Sequence, residues 1–543
     1  MKMKERNTQL KAAIGKMVPA ATVKEIQNIP CHDAVNISGR PAYLHNDELR
    51  LLMLLNTLKL QPQYYRTETE SIKEVFRLVE RIALEDPYFV AQAVVWSRCI
   101  GDGMRSVNHL TAALLAPFAS GQEWAKRFYS RWDKKAQKGG CIFRLDDMSE
   151  IKDVYAALNK GALSNAMKKG FASVIEQSDA YQLSKYRRTV IDIANLSHPD
   201  VNKSKAVIEG EKVLKMIMEG KTVSADTWEV AQSEAGQEVA KAVREGKLTA
   251  EQAEQVLTEA KSDNWKQLLA EKKLGILAAL RNIRNILKVA QTTDVIEMLR
   301  DLLGDVDAIR NGKVMPYQID TAYHAVAESE LQTMWKRALM NTLYKVYEAS
   351  IPNLATALPG KTCVLVDCSG SMHTPIVKAG SRNQYRDTLA SQKAGLIAAT
   401  IAKAVNADIV QFGSIAQDLD YDPNTNVFEL GQLIGKTNMG GTDIANAISF
   451  LENKDVSYDR IVILSDYECN HGGCVKKAYE SYIRQHGSPY VYCIDLAAYG
   501  TTQFKNDGKV NYYVGFGYRM FDDIASKEFD PQKYIEEVRK VVI

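Results

Sequence analysis

The stretch Lys361-Thr-Cys-Val-Leu-Val-Asp367-Cys-Ser369-Gly370-Ser371-Met372 decides how the last third of the chain folds. Its first half is a short β-branched, apolar run, which reads as a buried strand. The run stops on a carboxylate, and Gly370 lets the following loop turn tightly enough for one carboxylate and two hydroxyls at alternate positions to point inward together. A second run of the same kind, Asp459-Arg-Ile-Val-Ile-Leu-Ser465-Asp466, also ends on Asp, and ADIVQFGS (407–414) and PYVYCIDLA (489–497) read as two more buried strands. Helical patterns separate them: SQKAGLIAATIAKAV (391–405), TDIANAISFLEN (442–453), CVKKAYESYIRQ (474–485) and, last, PQKYIEEVRKVV (531–542). Strands alternating with helices predict a doubly wound parallel sheet, and such sheets bind ligands at the loops that follow the carboxyl ends of their strands.

Asp367, Ser369 and Ser371 fall in such a loop. Gly440-Gly441-Thr442-Asp443 opens a helix further on, and Ser465-Asp466 closes the strand after it. Hard oxygen donors with few carboxylates suit Mg²⁺ or Mn²⁺ better than zinc or copper. Asp and Ser at strand ends also serve as helix caps. The ordered recurrence of a glycine-flanked Thr and a further strand-terminal Asp favours the metal reading over the caps. The set is similar to the metal-ion-dependent adhesion site of von Willebrand factor A domains. That resemblance implies that Ser369, Ser371 and Thr442 bind the ion through hydroxyls, that Asp367 and Asp466 act largely through water, and that an open position accepts an acidic group from a partner. Cys469, His471 and Cys474 supply three softer ligands without a second matching pair nearby, a poor zinc set.

Residues 45–350 are helical almost throughout, with apolar residues three and four apart in NDELRLLMLLNTLKL (46–60), SIKEVFRLVERIAL (71–84), PYFVAQAVVWSRCI (87–100) and VNHLTAALLAPFA (107–119). Breakers at Asp86-Pro87, Gly101-Asp-Gly103 and Gly139-Gly140 cut them, predicting helix pairs with short connections and no strands between. A stretch of about 300 residues favours a curved solenoid over one bundle, because single cores stop growing near that size. Residues 221–272 are more polar and read as peripheral helix, and KKLGILAALRNIRNILKVA (272–290) is an apolar helix from which Arg281, Arg284 and Lys288 project.

Composition bounds the function classes. The 543 residues are 46% hydrophobic and 25% charged, ordinary for a soluble globular protein of two or more domains. The start lacks the apolar run of a signal peptide, no stretch reaches the length of a membrane span, and eight cysteines show no even framework. The expectation is a cytoplasmic protein with reduced thiols and no membrane partner. Residues 1–355 hold 50 Lys and Arg against 44 Asp and Glu, a balance of +6, whereas residues 356–543 hold 19 against 22, a balance of −3. The first part therefore permits an anionic partner without requiring one. No HExxH, GxSxG or GxxxxGK[ST] pattern accompanies the metal loop, which argues against a hydrolase.

A von Willebrand domain behind a long helical module resembles the Ro ribonucleoprotein autoantigen family, whose helical part is the TROVE module. The resemblance rests on LSNAMKKGFASVIEQSDAYQLSKYRR (163–188), IDIANLSHPD (191–200), LGILAALRNIRNIL (274–287) and VMPYQIDTAYHAV (314–326), in that order before DCSGSM, and it covers roughly 25–543. It implies a tail over 1–24, a ring of HEAT-like α-helical repeats over 25–355 and an α/β von Willebrand factor A domain over 356–543. It implies a scaffold that binds small structured Y-like RNA on the outer surface and single-stranded ends of misfolded RNA in the ring, for RNA quality control, without catalysis and as a monomer. A nuclease or an acidic protein is the implied ligand of the metal site. A lysine, an arginine and a histidine that contact RNA in the family match Lys185, Arg187 or Arg188, and His198. Lys168 and Lys169 either add phosphate contacts or complement the dipole of a nearby helix C-terminus. Arg281 and Arg284 either line the hole or pair with acids on a neighbouring helix, and His198 in its LSHP turn is otherwise a capping or packing residue. The competing function is a metal-dependent protein-interaction scaffold that binds no RNA.

Overall fold

The computed structural model describes residues 34–543 except 59, 61, 62, 64, 102, 134, 160–161, 222–238, 240–242, 244, 246–248, 313, 352–353, 355–357, 378–387, 506–508, 514–516 and 526–530. The chain forms two compact units. One takes in the residues up to 176, 188–200 and everything from 353 on; the other takes in 177–187 and 201–352.

The first unit contains the sheet foreseen from the strand runs. Its strands are numbered after two N-terminal pieces, β1 (Ala34–Val35) and β2 (Pro41–Leu44), and a small hairpin, β3 (Trp132–Asp133) and β4 (Lys138–Gly139). Then follow β5 (Thr362–Asp367), β6 (Asp408–Phe412), β7 (Ala416–Asp418), β8 (Arg460–Ser465), β9 (Tyr490–Asp495), β10 (Thr501–Thr502) and β11 (Val510–Tyr513). The six-stranded order is β7-β6-β5-β8-β9-β11. All neighbours are parallel except β7, which runs antiparallel to β6. The wholly parallel expectation therefore fails at one edge. The reason is local: Gly413-Ser414-Ile415 turns β6 back directly, with the Gly413 N–H donating to Ile415 O at 2.8 Å, and a loop that short makes a hairpin and leaves no room for a crossover helix.

The central strand β5 is buried along its whole length. One face packs Cys363, Leu365, Val410, Phe412, Ile461 and Ile463 beneath the helices Ile444–Glu452 and Val475–His486. On the other face the helix Ala390–Val405 meets the helix Val427–Lys436 through glycines: a Cβ on Gly395 would lie 2.2 Å from Gly431 O.

N-terminal residues complete this unit. β2 pairs antiparallel with β10 through Leu44↔Thr501 and Tyr43↔Thr502. Gln92, on the helix Pro87–Val95, donates from Nε2 to Arg539 O at 2.8 Å and to Val541 O at 2.9 Å. Trp96, in the π-helical turn that ends the same helix, stacks edge-on to Tyr534 at 5.9 Å. Sequence spacing sets the helix starts here. Asp86 caps Pro87–Val95 with Pro at the first helical position, and Thr67 and Glu70 form a capping box for Glu68–Glu85.

The second unit is helical over Ala250–Ala270, Ile276–Val289, Thr293–Leu303, Val306–Asn311, Pro316–Ala327 and Thr333–Ala349. Ile276–Val289 buries Ile276, Ala279, Leu280, Ile283, Ile286 and Leu287, and it exposes Arg281, Arg284 and Lys288. Of the polar stretch 221–272, most of 222–248 lies outside the described residues; the helix Ala250–Ala270 opens with a capping box of Thr249 and Gln252.

Two sequence readings need correction. The helical part is not free of strands, since Gly139-Gly140 belongs to the β3–β4 hairpin and Val207–Ile208 pairs with Glu211–Lys212. Lys168 and Lys169 do not lie near a helix C-terminus either: they sit in the first turns of the helix Asn165–Gln177, where the dipole disfavours cations. Gly170 lies within that helix, where the backbone of Tyr129 crosses so closely that a Cβ would lie 2.8 Å from Tyr129 O.

Candidate metal centre

The loops at the carboxyl ends of β5 and β8 build the site. Asp367 ends β5, and its Oδ1 accepts from the Ser369 N–H at 2.8 Å while its Oδ2 accepts from the Ser465 hydroxyl at 2.6 Å. The Ser369 and Ser371 hydroxyls lie 3.1 Å apart, and the Ser371 hydroxyl bonds the Asp466 carboxylate. Asp466 also accepts from the Glu468 N–H at 3.1 Å, and Tyr467 between them is held at φ +58°, a left-handed conformation that a bulky residue rarely adopts.

The third loop is fastened to the first by backbone. Gly370 N–H donates to Gly440 O at 2.8 Å and Met439 N–H to Cys368 O at 2.7 Å. Thr442 follows, wholly buried, and its Oγ1 has no hydrogen-bond partner among the described residues. An orphaned buried hydroxyl costs roughly 1–3 kcal/mol, so this atom fits a ligand-binding role better than a packing one.

Asp367, Ser369, Ser371 and Asp466 thus form one hydrogen-bonded group, with the loop of Thr442 laid against it. Burial pushes the Asp367 carboxyl up to about 7, with the neighbouring Asp466 charge adding to it, and burial raises Asp466 as well. Glu468 is pushed up to about 8 by burial and by Asp466, and Asp495, at the end of β9, to about 6 by burial. Negative charge crowded into a buried site is what a hard divalent cation relieves. The donor set of hydroxyls and two carboxylates, the orphaned Thr442 oxygen and the raised carboxylates all fit such an ion. Among the described residues no group of three or more His, Cys, Asp and Glu has metal-binding geometry, so Cys469, His471 and Cys474 form no such cluster.

Sequence reasoning missed the supports of this site. Ser465 orients Asp367. Asn470 accepts from the Thr442 N–H at 2.9 Å and donates from Nδ2 to the Tyr65 hydroxyl at 3.0 Å. Ser414 accepts from the Gly441 N–H at 2.9 Å, and His373 Nδ1 lies 3.1 Å from Ser369 O. Ser465 could have been found as the hydroxyl preceding the strand-terminal Asp; Asn470, 28 residues beyond Thr442, carries no local signal.

The residues expected at an RNA surface are spread over both units. Lys185 ends the helix Ala180–Lys185, with its ammonium 5.6 Å from the Tyr181 ring centroid, and Arg187 opens the helix Arg187–Ser197; both belong to the second unit. Lys168, Lys169, Arg188 and His198 belong to the first, with Lys168 half-buried and the other three exposed. His198 closes its helix at φ +50°, its N–H donating to Ala194 O at 2.9 Å, so the capping role is real and leaves the ring exposed. Arg281 faces the Tyr317 phenol electrostatically, and Arg284 also has a polar or electrostatic contact.

Residues 361–494, which hold all five candidate metal ligands, match the Ro60 vWA domain, and residues 241–388 match the TROVE domain. The chain thus joins the two domains of the Ro60 type. The crystal structure of the Deinococcus radiodurans Ro (RSR) protein is similar to this Ro60-type chain at 17% identity with a TM-score of 0.56, over 89% of this chain and 100% of that one. That likeness shows the fold: a helical module followed by a von Willebrand factor A domain. No curated protein matches the Ro60-type chain. Among its described residues no helix is long and apolar enough to cross a membrane.

Proposed function

We propose that this Ro60-type protein is an RNA-binding scaffold for RNA quality control, holding small structured RNA on its helical surface and accepting single-stranded ends of misfolded RNA. The observation that carries the reading is the joining, in one chain, of a TROVE domain to a Ro60 vWA domain. Lys169, Arg188 and His198 are exposed, as phosphate contacts require, and Lys185 and Arg187 are half-exposed beside them in sequence. Such a protein acts by binding and orienting RNA, with structured RNA recognised mainly by shape and by its phosphates.

Ser369, Ser371 and Thr442 would hold Mg²⁺ or Mn²⁺ through their hydroxyls, with Asp367 and Asp466 behind them. Bound there, the ion would offset the two buried carboxylates and offer an open position to an acidic group of a protein partner, a nuclease among the candidates. Ser465 keeps Asp367 oriented, and Asn470 keeps the Thr442 loop in place.

The test is to crosslink and sequence the nucleic acid that copurifies from cells with the wild-type protein and with a Lys185→Glu, His198→Ser double variant. A discrete structured RNA that disappears in the variant supports the reading. If the wild-type protein carries no RNA above background, the scaffold binds protein alone, through the metal face.

A further inference from the structure

We propose that the arm formed by residues 124–144 is a phosphate-contacting surface for RNA, in addition to the lysines and arginines of 168–198; the inference rests on the RNA-binding reading above. The segment WAKRFYSRWDKKAQKGGCIFR carries seven Lys and Arg and a single Asp. Its balance of +6 equals that of the whole of residues 1–355, so 21 residues hold a charge excess as large as that of the entire first part.

The arm is built to project these cations. Phe128, Tyr129, Trp132, Cys141 and Ile142 are buried, which turns Lys126, Arg127, Lys135, Lys138 and Arg144 outward, and all five are exposed. The backbone beneath is fixed. Cys141 N–H donates to Phe128 O at 2.8 Å, Ile142 N–H to Ser130 O at 3.1 Å and Gly139 N–H to Val542 O at 3.1 Å. Gly139 adopts φ +119°, and a Cβ would lie 2.5 Å from Arg131 O on Gly139 and 2.2 Å from Arg127 O on Gly140, so only glycine lets this segment pass so close to the backbone of 127–131.

The counter-charge is occupied elsewhere. Asp133 Oδ1 accepts from the N–H groups of Lys135 and Ala136 at 2.9 and 3.0 Å and so serves the turn. Arg144 pairs with Asp146 at 3.3 Å. Like charges held close on a rigid hairpin repel one another, and a polyanion relieves that cost. Lys126 and Arg127 lie on the helical turn Ala125–Phe128, and Lys135 and Lys138 lie in the turn and second strand of the hairpin, so the arm offers two pairs of cations to a duplex that carries one phosphate charge per ~1.7 Å of its axis. Lys and Arg offer donors only, so the arm would fix the position of an RNA without reading its sequence. A membrane surface fits less well, because no large apolar side chain within 124–144 is exposed for insertion.

The experiment measures binding of the full-length protein to a 20-nucleotide oligouridine and to a 20-base-pair RNA duplex, with salt raised from about 50 to about 200 mM. Two double variants remove cations, Lys126→Ala with Arg127→Ala and Lys135→Ala with Lys138→Ala; Lys476→Ala with Lys477→Ala on the helix Val475–His486 is the control of equal charge. Each arm variant should lower the slope of log affinity against log salt by about 1.8 on the duplex, so that the salt step costs it roughly tenfold less than it costs wild type. The control should keep the wild-type slope, and unchanged thermal melts will show that all variants are folded. Wild-type slopes in both arm variants would overturn the inference while leaving the RNA reading intact. So would unchanged RNA slopes combined with lost binding to phosphatidylserine vesicles or to a polyglutamate peptide, which would assign the arm to a membrane or a protein. Failure of the wild-type protein itself to bind either RNA at low salt would instead remove the RNA-binding reading.

Discussion

Thr442 is the residue on which the metal reading turns. Its hydroxyl is buried in the loop before the helix Ile444–Glu452 without a partner among the described residues, while both neighbouring carboxylates are pushed up by burial. A Thr442→Val change keeps the shape and removes only the oxygen. Mn²⁺ affinity, followed by isothermal titration calorimetry, should fall at least tenfold, a loss of about 1.4 kcal/mol or more. The melting temperature in EDTA should hold or rise, since an unsatisfied hydroxyl has left the interior. Unchanged Mn²⁺ affinity would remove Thr442 from the ligand set. This residue was legible beforehand because glycines flank it and it opens a helix; its dependence on Asn470 and Tyr65 was not, because that contact joins residues 405 apart.

At the scale of elements, buried charge ties helices together. Asp147, fully buried near the start of the helix Leu145–Asn159, accepts from the N–H groups of Phe143 and Arg144 and from Arg98 and Arg105 on two earlier elements, with His109 beside it. Burial alone would raise its carboxyl, but His109, Arg98 and Arg105 outweigh it and hold the group far below the usual carboxylate range. The folded value lies below the unfolded one of roughly 3.9, so the stabilisation is complete above about pH 4 and is lost as pH falls through the folded value. Asp147→Asn should cost roughly 3–5 kcal/mol at neutral pH by leaving the guanidiniums short of a counter-charge. Urea midpoints measured from pH 7 down to 3 should show the gap between variant and wild type closing toward the acid end; a gap that is constant across that range would show that the charge is not the cause.

The same scale shows where periodicity ran out. Strands β5 and β8 and the amphipathic helices were readable because their apolar spacing is local. Gly139-Gly140 reads as a breaker, yet both are glycine because another stretch of backbone crosses them, at Arg131 and at Arg127. A glycine required by a distant contact looks, in sequence, like one required by a turn.

For the molecule as a whole, composition separates helical from α/β residues near 355, whereas packing groups the residues up to 176 with those from 353 on. Arg50 Nη2 and Arg66 Nη2 donate to Ala498 O at 2.8 and 3.0 Å, Asn36 Nδ2 donates to Cys469 O at 2.7 Å, and β2 covers β10. Expressed alone, residues 356–543 would lose all of these and bare the edge of β10. The fragment should melt well below the full chain by circular dichroism, or aggregate. Equal melting temperatures would show that the α/β domain does not depend on the N-terminal residues.

The bond between Gln92 and Val541 spans 449 residues. During synthesis at about 5–20 residues per second, the helix carrying Gln92 leaves the ribosome roughly 20–90 seconds before its acceptor exists. Through that interval the apolar face meant for Tyr534 has no native cover. Loops this long are also slow to close. A cell making this protein must therefore shelter an unfinished surface for most of its translation, and the amount of soluble product should track the supply of chaperone more closely than the stability of the finished fold.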